Sequence, residues 1–319
     1  MYVKPQGSQR QQRPEKPGQS PPSRMEFIDK LPILKDPTTE AIMELLSRHA
    51  LITGAGTGIG RTIALAFARQ GASVALLGRT SSALEEVAQN IVQDGGQACI
   101  CAADITRPET LEAAIAKAQQ AWNGIDILVN NAGIQGPIGP THSVAPVAWE
   151  ETILTNLVGP FHCTRLVLPS MIERNYGKII NLSGGGAVSP RANFSAYGAA
   201  KAGLVRLTET LAAELASHRI DVNALAPGAV NTAMLDQILA AGQRAGPRAQ
   251  AQARDQQRDG GTDPTRPAAL AVFLASARSD GLSGRLFSAV WDSWEELDIA
   301  RIMASEDYTV RRLTPPEEA

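Results

Sequence analysis

The 319-residue sequence has few aromatic residues, three cysteines and no long hydrophobic run. A helix that spans a bilayer needs roughly 20 consecutive apolar residues, so we expect no membrane partner. Cys99, Cys101 and Cys163 form no even set and have no second ligand pair at metal-binding spacing. This excludes a disulfide framework, predicts no metal site and favours a reducing compartment, so we expect a cytoplasmic protein.

An excess of charge of either sign is also missing. The formal net charge is −2, which does not predict a nucleic-acid partner or binding to an anionic membrane surface. Apolar residues make up 44% of the chain, and a chain of this length can bury a large core in one or two domains.

The N-terminal part of the chain differs in composition from the rest. Residues 1–24 are rich in proline and glutamine, a composition that cannot bury enough surface to offset the cost of ordering the backbone. We predict a disordered extension over residues 1–42 and a single domain over residues 43–319. An alternative is that the natural protein starts at Met43, and the sequence leaves both interpretations open.

A strand, a glycine-rich turn and a helix follow one another between residues 48 and 70. The glycines Gly54, Gly58 and Gly60 would let the backbone approach a pyrophosphate at the N-terminus of the helix. Strands and helices then alternate, which predicts an α/β fold: a Rossmann-type, doubly wound parallel sheet with helices on both faces, in a single domain. A glycine turn without a ligand is the alternative interpretation of the motif.

The end of the second predicted strand bears on the choice of cofactor. An NAD site carries an acidic residue about 20 residues beyond the glycine motif, whereas this chain has Gly78 and Arg79 there. A guanidinium suits a ribose 2′-phosphate, so we predict NADP(H) as the preferred cofactor and leave use of NAD(H) open. A solvated arginine at a strand end is the alternative interpretation.

Tyr197 and Lys201 are four residues apart in a segment predicted to be helical from Ser195 to about residue 218. Residues at this spacing lie on one face of a helix. An ammonium beside a phenol favours the phenolate and lowers the phenol pKa, so the pair is a candidate acid–base device. A pair of surface side chains is the plainer interpretation.

From about residue 48 to residue 290 the chain resembles the short-chain dehydrogenase/reductase family in its classical form. The matching motifs are Thr53-Gly54-x-x-x-Gly58-Ile59-Gly60, Asp104, Asn130-Asn131-Ala132-Gly133, Asn156, Ser183, Tyr197-x-x-x-Lys201 and Pro227-Gly228. The resemblance implies an enzyme that acts on CH–OH or C=O groups with NAD(P). It also implies a small-molecule carbonyl or alcohol substrate and a homo-oligomer, either a dimer or a tetramer.

The resemblance further implies roles for single residues. Tyr197 would be the general acid or base, Lys201 would lower its pKa and hold the nicotinamide ribose, and Ser183 would hydrogen-bond the substrate oxygen. Asn156 would anchor a water that connects Lys201 to solvent. Val230 and Thr232 would hold the nicotinamide carboxamide. The implied cofactor-binding residues are Gly54, Thr57, Gly58, Ile59, Gly60, Arg79, Asp104, Ile105, Asn131, Ala132, Gly133, Tyr197, Lys201, Pro227, Gly228, Val230 and Thr232.

Two of these catalytic assignments compete with other interpretations. The family more often spaces its serine and tyrosine thirteen residues apart, whereas Ser183 precedes Tyr197 by fourteen and Gly184 stands at thirteen. A loop one residue longer would restore the geometry; otherwise Ser183 starts a turn. Asn156 could instead be a kink residue, because Gly159-Pro160 interrupts the helix predicted from residue 149 to residue 172.

The C-terminal part holds the regions that we expect to differ most from relatives. In the family, the polar and glycine-punctuated segment over residues 233–266 is a mobile lid over the substrate. Residues 291–319 form an atypical tail, which could supply Trp291 or Trp294 to a pocket wall or an interface. We hypothesise an NADP(H)-preferring oxidoreductase that transfers a hydride between nicotinamide and a carbonyl or secondary alcohol. The alternative is a non-catalytic NAD(P)-binding sensor or scaffold.

Overall fold

The computed structural model describes residues 43–311 of the chain. The predicted N-terminal extension (residues 1–42) and the end of the predicted tail (residues 312–319) lie outside the described residues. The strands are β1 (His49–Thr53), β2 (Ser73–Gly78), β3 (Gln97–Ala102), β4 (Ile127–Asn130), β5 (Gly177–Leu182), β6 (Ile220–Ala226) and β7 (Leu286–Ser288). The α-helices are α1 (Gly58–Arg69), α2 (Ser81–Gln93), α3 (Pro108–Trp122), α4 (Pro146–Ile153), α5 (Gly159–Glu173), α6 (Ser195–Glu214), α7 (Ala233–Ala241), α8 (Pro247–Asp259), α9 (Thr265–Ala275) and α10 (Ile299–Met303).

The seven strands form one parallel sheet in the order β3-β2-β1-β4-β5-β6-β7. Every residue of β5 is buried, as expected for a parallel strand that is packed on both faces. On one face Ile52 packs in a cluster with Phe67 of α1, and on the other Leu51 packs in a cluster with Ile115 of α3. The predicted fold class, a doubly wound parallel α/β sheet, is confirmed.

The strand order fixes where a ligand can bind. Strand β1 pairs with β2 on one side and with β4 on the other, so the direction of winding reverses between β1 and β4. Ligands of open parallel sheets lie beyond the carboxyl ends of the strands at such a reversal. The loops that follow Thr53, Asn130 and Leu182 all start at this edge.

Residues 146–173 are helical without a break, as predicted for residues 149–172, but the helix is not regular throughout. Helix α4 ends at Ile153, a wider π turn covers Leu154–Val158, and α5 begins at Gly159. Pro160 follows the π turn, and a proline inside a continuous helix has no N–H to donate to the preceding turn. A π turn is a common way to redirect a helix near a functional site. Helix α6 also ends at Glu214 rather than near residue 218.

The predicted lid contains more helix than its polar sequence suggested. Helix α7 is followed by a short 3-10 turn and by α8. Apolar residues of this pair, among them Leu235 and Ala253, pack with Ile138 and Phe194 in a cluster separate from the two faces of the sheet. The lid therefore rests on the loops after β4 and β5.

The described part of the tail lies along the edge strand β7. The N–H of Leu286 donates to the carbonyl of Tyr308 at 2.8 Å, and the N–H of Ser288 donates to the Asp292 carboxylate at 2.6 Å. Trp294 is buried beside Phe273, whereas Trp291 is exposed. Of the two tryptophans, Trp291 is therefore the one left for an interface, and that role stays a prediction.

Candidate active site

A cavity of about 640 Å³ opens at the carboxyl ends of the strands. Its wall comes from the loops that follow β1 to β6, which is why residues far apart in sequence meet there. Fifteen of the predicted residues line it, and they are Gly54, Thr57, Gly58, Ile59, Arg79, Asp104, Ile105, Asn131, Ala132, Gly133, Ser183, Tyr197, Lys201, Pro227 and Thr232.

A second cavity of about 680 Å³ lies elsewhere, between Tyr176, Arg219 and Asp221. These residues stand before or at the amino ends of β5 and β6. Ligands of parallel sheets bind at the opposite, carboxyl edge. We therefore take the cavity that holds the predicted residues as the candidate active site.

The turn between β1 and α1 fits a phosphate group. The N–H groups of Gly58, Ile59 and Gly60 precede the first intrahelical bond, which runs from the N–H of Arg61 to the carbonyl of Thr57 at 3.2 Å. Such N–H groups and the positive end of the helix dipole form an anion site. These backbone donors fit the pyrophosphate of a dinucleotide.

Hydrogen bonds tie this turn to the end of β4. The N–H groups of Asn131 and Ala132 each donate to Thr53 Oγ1 at 3.0 Å, and Asn131 Nδ2 donates to the Thr53 carbonyl at 2.9 Å. A Cβ atom on Gly60 would overlap with the Gly54 carbonyl and with Asn131 Nδ2. Gly60 therefore does not line the cavity but permits the close approach that shapes it.

Arg79 and Asp104 lie at the far end of the cavity, beyond β2 and β3. Burial by itself raises the pKa of Asp104, but hydrogen bonds from Thr106 and the nearby Arg79 and Arg107 outweigh it and lower that pKa. Arg79 is exposed and lines the cavity. A cationic side chain thus stands where an NAD site would have an acid.

Tyr197 and Lys201 lie one turn apart on α6 and are both buried. Lys201 Nζ donates to the Leu182 carbonyl at 2.6 Å, and burial lowers the Lys201 pKa to about 8. Burial raises the pKa of the Tyr197 phenol, which the guanidinium of Arg191 partly opposes. Desolvation is the larger effect on the phenol in the protein alone, and the predicted lowering of the Tyr197 pKa by Lys201 stays a prediction.

Ser183 meets the cavity despite its unusual spacing from Tyr197. Its side chain is 4% exposed, and Oγ has no hydrogen-bond partner among residues 43–311. A Cβ atom on Gly184 would overlap with the Tyr197 hydroxyl. The phenol thus occupies the space of a side chain at position 184, while the hydroxyl of Ser183 remains available to a ligand.

Asn156 sits on the π turn and does not line the cavity. Its Oδ1 accepts from the N–H of Ile134 and its Nδ2 donates to the carbonyl of Ile134, both at 2.8 Å. Asn156 therefore lies in the π turn and also supports the loop at Ile134. Its predicted role in anchoring a water stays a prediction. Gly228 and Val230 also lie outside the lining, so their predicted cofactor contacts stay predictions.

Sequence reasoning missed two parts of the site. Gln135 lines the cavity, is 2% exposed, and its Nε2 has no partner in the described chain. The carbonyl of Leu182 holds Lys201. Gln135 stands two residues after the Asn130–Gly133 motif, and this position could have drawn attention to it. No side-chain pattern in the sequence indicates the role of a backbone carbonyl.

The family model for short chain dehydrogenases matches residues 48–242. The chain belongs to the short-chain dehydrogenase family. It is accordingly an oxidoreductase, as the sequence predicts, and the members of this family bind NAD or NADP.

Similar proteins of this family have been described. A D-beta-hydroxybutyrate dehydrogenase from Cupriavidus necator is 36% identical over 78% of this chain and 96% of its own. A gluconate 5-dehydrogenase from Burkholderia cenocepacia, solved with NADP and tartrate, has a TM-score of 0.69 at 30% identity, over 77% of this chain and 95% of its own. An NAD+-bound xylitol dehydrogenase has a TM-score of 0.72 at 28% identity, over 77% of this chain and 98% of its own.

We expect Gly60→Ala to weaken NADPH binding by about 10-fold or more, the scale of one lost hydrogen bond to a charged group. The added methyl group meets the Gly54 backbone, so the turn must move away from the phosphate. Fluorescence titration with NADPH measures the effect. Gly203→Ala is the matched control, because its Cβ would lie 3.0 Å from the flexible side chain of Leu157. Equal affinities of the two variants would contradict the role of Gly60.

Burial of Lys201 should make stability depend on pH. Its pKa is about 8 in the folded protein and ordinarily 10.5. Between these values the unfolded chain holds the proton and the folded protein does not, so raising the pH stabilises the fold. The free energy of unfolding of the unmodified protein, measured relative to that of Lys201→Met, should rise by up to about 3 kcal/mol between these two pH values.

Urea unfolding of both cofactor-free proteins at several pH values measures this difference. Tyr197 is present in both proteins, so its titration cancels to first order. A free-energy difference that stays flat with pH would contradict the burial of a titrating ammonium at position 201.

Proposed function

We propose that this short-chain dehydrogenase is an NADP(H)-preferring oxidoreductase that moves a hydride between nicotinamide and a carbonyl or secondary alcohol carbon. One observation carries the proposal. Tyr197 and Ser183 line the same cavity as the glycine turn, with Lys201 one helical turn from Tyr197. The Ser183 hydroxyl has no hydrogen-bond partner within residues 43–311.

Tyr197 is the proposed acid and base. Its raised pKa keeps the phenol protonated near neutral pH, so it can deliver a proton to the oxygen of a carbonyl as that oxygen gains charge. In alcohol oxidation the deprotonated form of Tyr197, the phenolate, takes up the proton of the substrate hydroxyl. Bound nicotinamide supplies or accepts the hydride.

Ser183 and Lys201 assist this proton transfer. The Ser183 hydroxyl donates a hydrogen bond to the substrate oxygen and stabilises the charge that develops there. Lys201, oriented by the Leu182 carbonyl, binds ribose hydroxyls and, when protonated, favours the phenolate of Tyr197. Asn156 holds the Ile134 main chain beside Gly133 and anchors the water that links Lys201 to solvent.

The preference for NADP(H) rests on Arg79. Its guanidinium lines the cavity, and Gly78 stands where a carboxylate would repel a 2′-phosphate. Similar solved proteins contain NADP in one case and NAD in another, so the family alone does not decide the cofactor.

The substrate is proposed to be a small molecule. The names of similar proteins refer to hydroxybutyrate, gluconate and xylitol, which are hydroxy acids and a sugar alcohol with secondary hydroxyl groups. Within residues 43–311, no helix is both long and apolar enough to cross a membrane. We further propose a cytoplasmic homo-oligomer, a dimer or tetramer.

Tyr197→Phe should abolish carbonyl reduction while leaving NADPH affinity nearly unchanged, because it removes one hydroxyl from a buried ring. Steady-state rates over a panel of ketones and fluorescence titration measure the two quantities. Tyr176→Phe is the control, since Tyr176 lies by the second cavity. If the Tyr197 variant keeps most of its activity, the proposed mechanism fails. If the unmodified protein binds NADPH but reduces nothing in the panel, the sensor or scaffold alternative is favoured.

Arg79→Gln should lower the preference for NADPH over NADH by roughly 10- to 100-fold, the scale of a charge-assisted hydrogen bond. Quenching of tryptophan fluorescence by each nucleotide gives the two affinities. Arg107→Gln is the matched control, because Arg107 also acts on Asp104 but does not line the cavity. Equal affinities of the unmodified protein for NADPH and NADH would contradict the argument from Arg79.

A further inference from the structure

Arg191 is a cation beside the candidate active site that the proposed mechanism does not use. It is half-buried, and within residues 43–311 no acidic side chain contributes to its pKa. Burial lowers the pKa of Arg191 and the nearby Tyr197 phenol opposes this, so the guanidinium is partly desolvated. A desolvated charge without a counter-ion is costly, and arginine stays protonated in proteins.

The side chain of Arg191 is held in a defined place. Its guanidinium carbon lies 3.8 Å from the centre of the Phe194 ring, and that ring is fully buried at the start of α6. Phe194 also belongs to the cluster that supports the lid. The cation is therefore fixed at the lid side of the site.

The loop after Ser183 brings this cation near the Tyr197 phenol, although Arg191 itself is not among the residues that line the cavity. A Cβ atom on Gly185 would lie 3.7 Å from Arg191 Nη1, while the neighbouring Gly184 has the Tyr197 hydroxyl against it. Adjacent residues of one loop thus contact the guanidinium and the phenol. A larger side chain at either position would stand between the loop and these groups.

Two other polar groups of the site also lack a partner. Gln135 Nε2 and Ser183 Oγ are buried and make no hydrogen bond in the described chain, and both residues line the cavity. Buried polar groups normally have partners, so unpartnered donors at a cavity point to a ligand with acceptor atoms. Ser183 is already assigned to the carbonyl oxygen, which leaves Gln135 and Arg191.

We propose that the substrate carries a carboxylate close to its reacting carbonyl or hydroxyl carbon, and that Arg191 binds this carboxylate with help from Gln135. The inference rests on the proposed function and names its substrate class: short-chain oxo acids and the corresponding hydroxy acids. The planar guanidinium can bind both oxygens of a carboxylate at once, and the amide N–H of Gln135 donates to one of them.

The charged residues that line the cavity near Tyr197 do not replace Arg191. Lys201 is occupied by the Leu182 carbonyl and by its proposed role with the ribose. Glu151 lines the cavity but is exposed, so water and salt screen its charge from an anionic ligand.

The test compares ketone substrates that differ in one charge. Each short-chain oxo acid is paired with its methyl ester, and kcat/KM is measured for both with NADPH. We expect the unmodified protein to prefer the acid by roughly 10- to 100-fold, and Arg191→Met to bring this ratio close to one. Arg191→Lys keeps a charge but not the planar fork and should retain part of the preference. Gln135→Leu should reduce it less than Arg191→Met.

Arg165→Met serves as the matched control, because Arg165 is an exposed arginine on α5 paired with Glu112. It should keep the full preference for the acid. Titration with NADPH shows that each variant is folded. A ratio near one in the unmodified protein, an unchanged ratio in Arg191→Met, or faster reduction of phosphorylated ketones than of oxo acids overturns the inference.

The same experiment separates this inference from the proposed function. If esters and acids are reduced equally well, the enzyme is a carbonyl reductase and only the carboxylate site is wrong. If neither the acids, the esters nor neutral ketones are reduced with NADPH or NADH, the proposed function itself fails.

Discussion

The contact between the ends of β1 and β4 is the constraint on which the rest of the site depends. Thr53 and Asn131 bind each other through side-chain and backbone groups, and the space between them and α1 admits no Cβ on Gly60. The direction of winding reverses between β1 and β4, so the helices that follow these two strands lie on opposite faces of the sheet. The carboxyl ends of β1 and β4 are therefore left uncovered. The open space that results is the cavity of about 640 Å³, and the donors at the start of α1 are backbone groups of fixed position.

Two buried lysines illustrate how the same residue type serves structure and chemistry. Lys178 Nζ lies 2.7 Å from Asp221 and 2.8 Å from Asp280, so its charge is compensated at the amino edge of the sheet. Among residues 43–311, Lys201 has a single neutral acceptor, the Leu182 carbonyl, and its pKa falls to about 8. A compensated charge stabilises one arrangement, whereas an uncompensated one can respond to a ligand.

The parts of the protein that sequence predicted well are those governed by local rules. The glycine turn follows from backbone sterics, and the Tyr197–Lys201 pair follows from the pitch of a helix, so the fold class and the cavity lining could be anticipated. The π turn at Asn156 depends on how α4 and α5 pack against the loop at Ile134, which no local pattern encodes. The desolvation of the Tyr197 phenol could not be predicted for a related reason, because it depends on everything that surrounds the phenol. No sequence pattern marks Arg191, which stands in a loop. Only the structure shows that it lies beside Phe194 and Tyr197.

The tail after β7 limits which strands can pair with the edge of the sheet. An edge strand offers its outward N–H groups to any passing strand, and proteins cover such edges to avoid unwanted pairing. Here the outward N–H groups of Leu286 and Ser288 are taken by Tyr308 and Asp292 of the same chain. The tail thus acts as a terminator of the β-ladder: two copies of this protein cannot build a continuous sheet across β7 while Tyr308 and Asp292 remain in place.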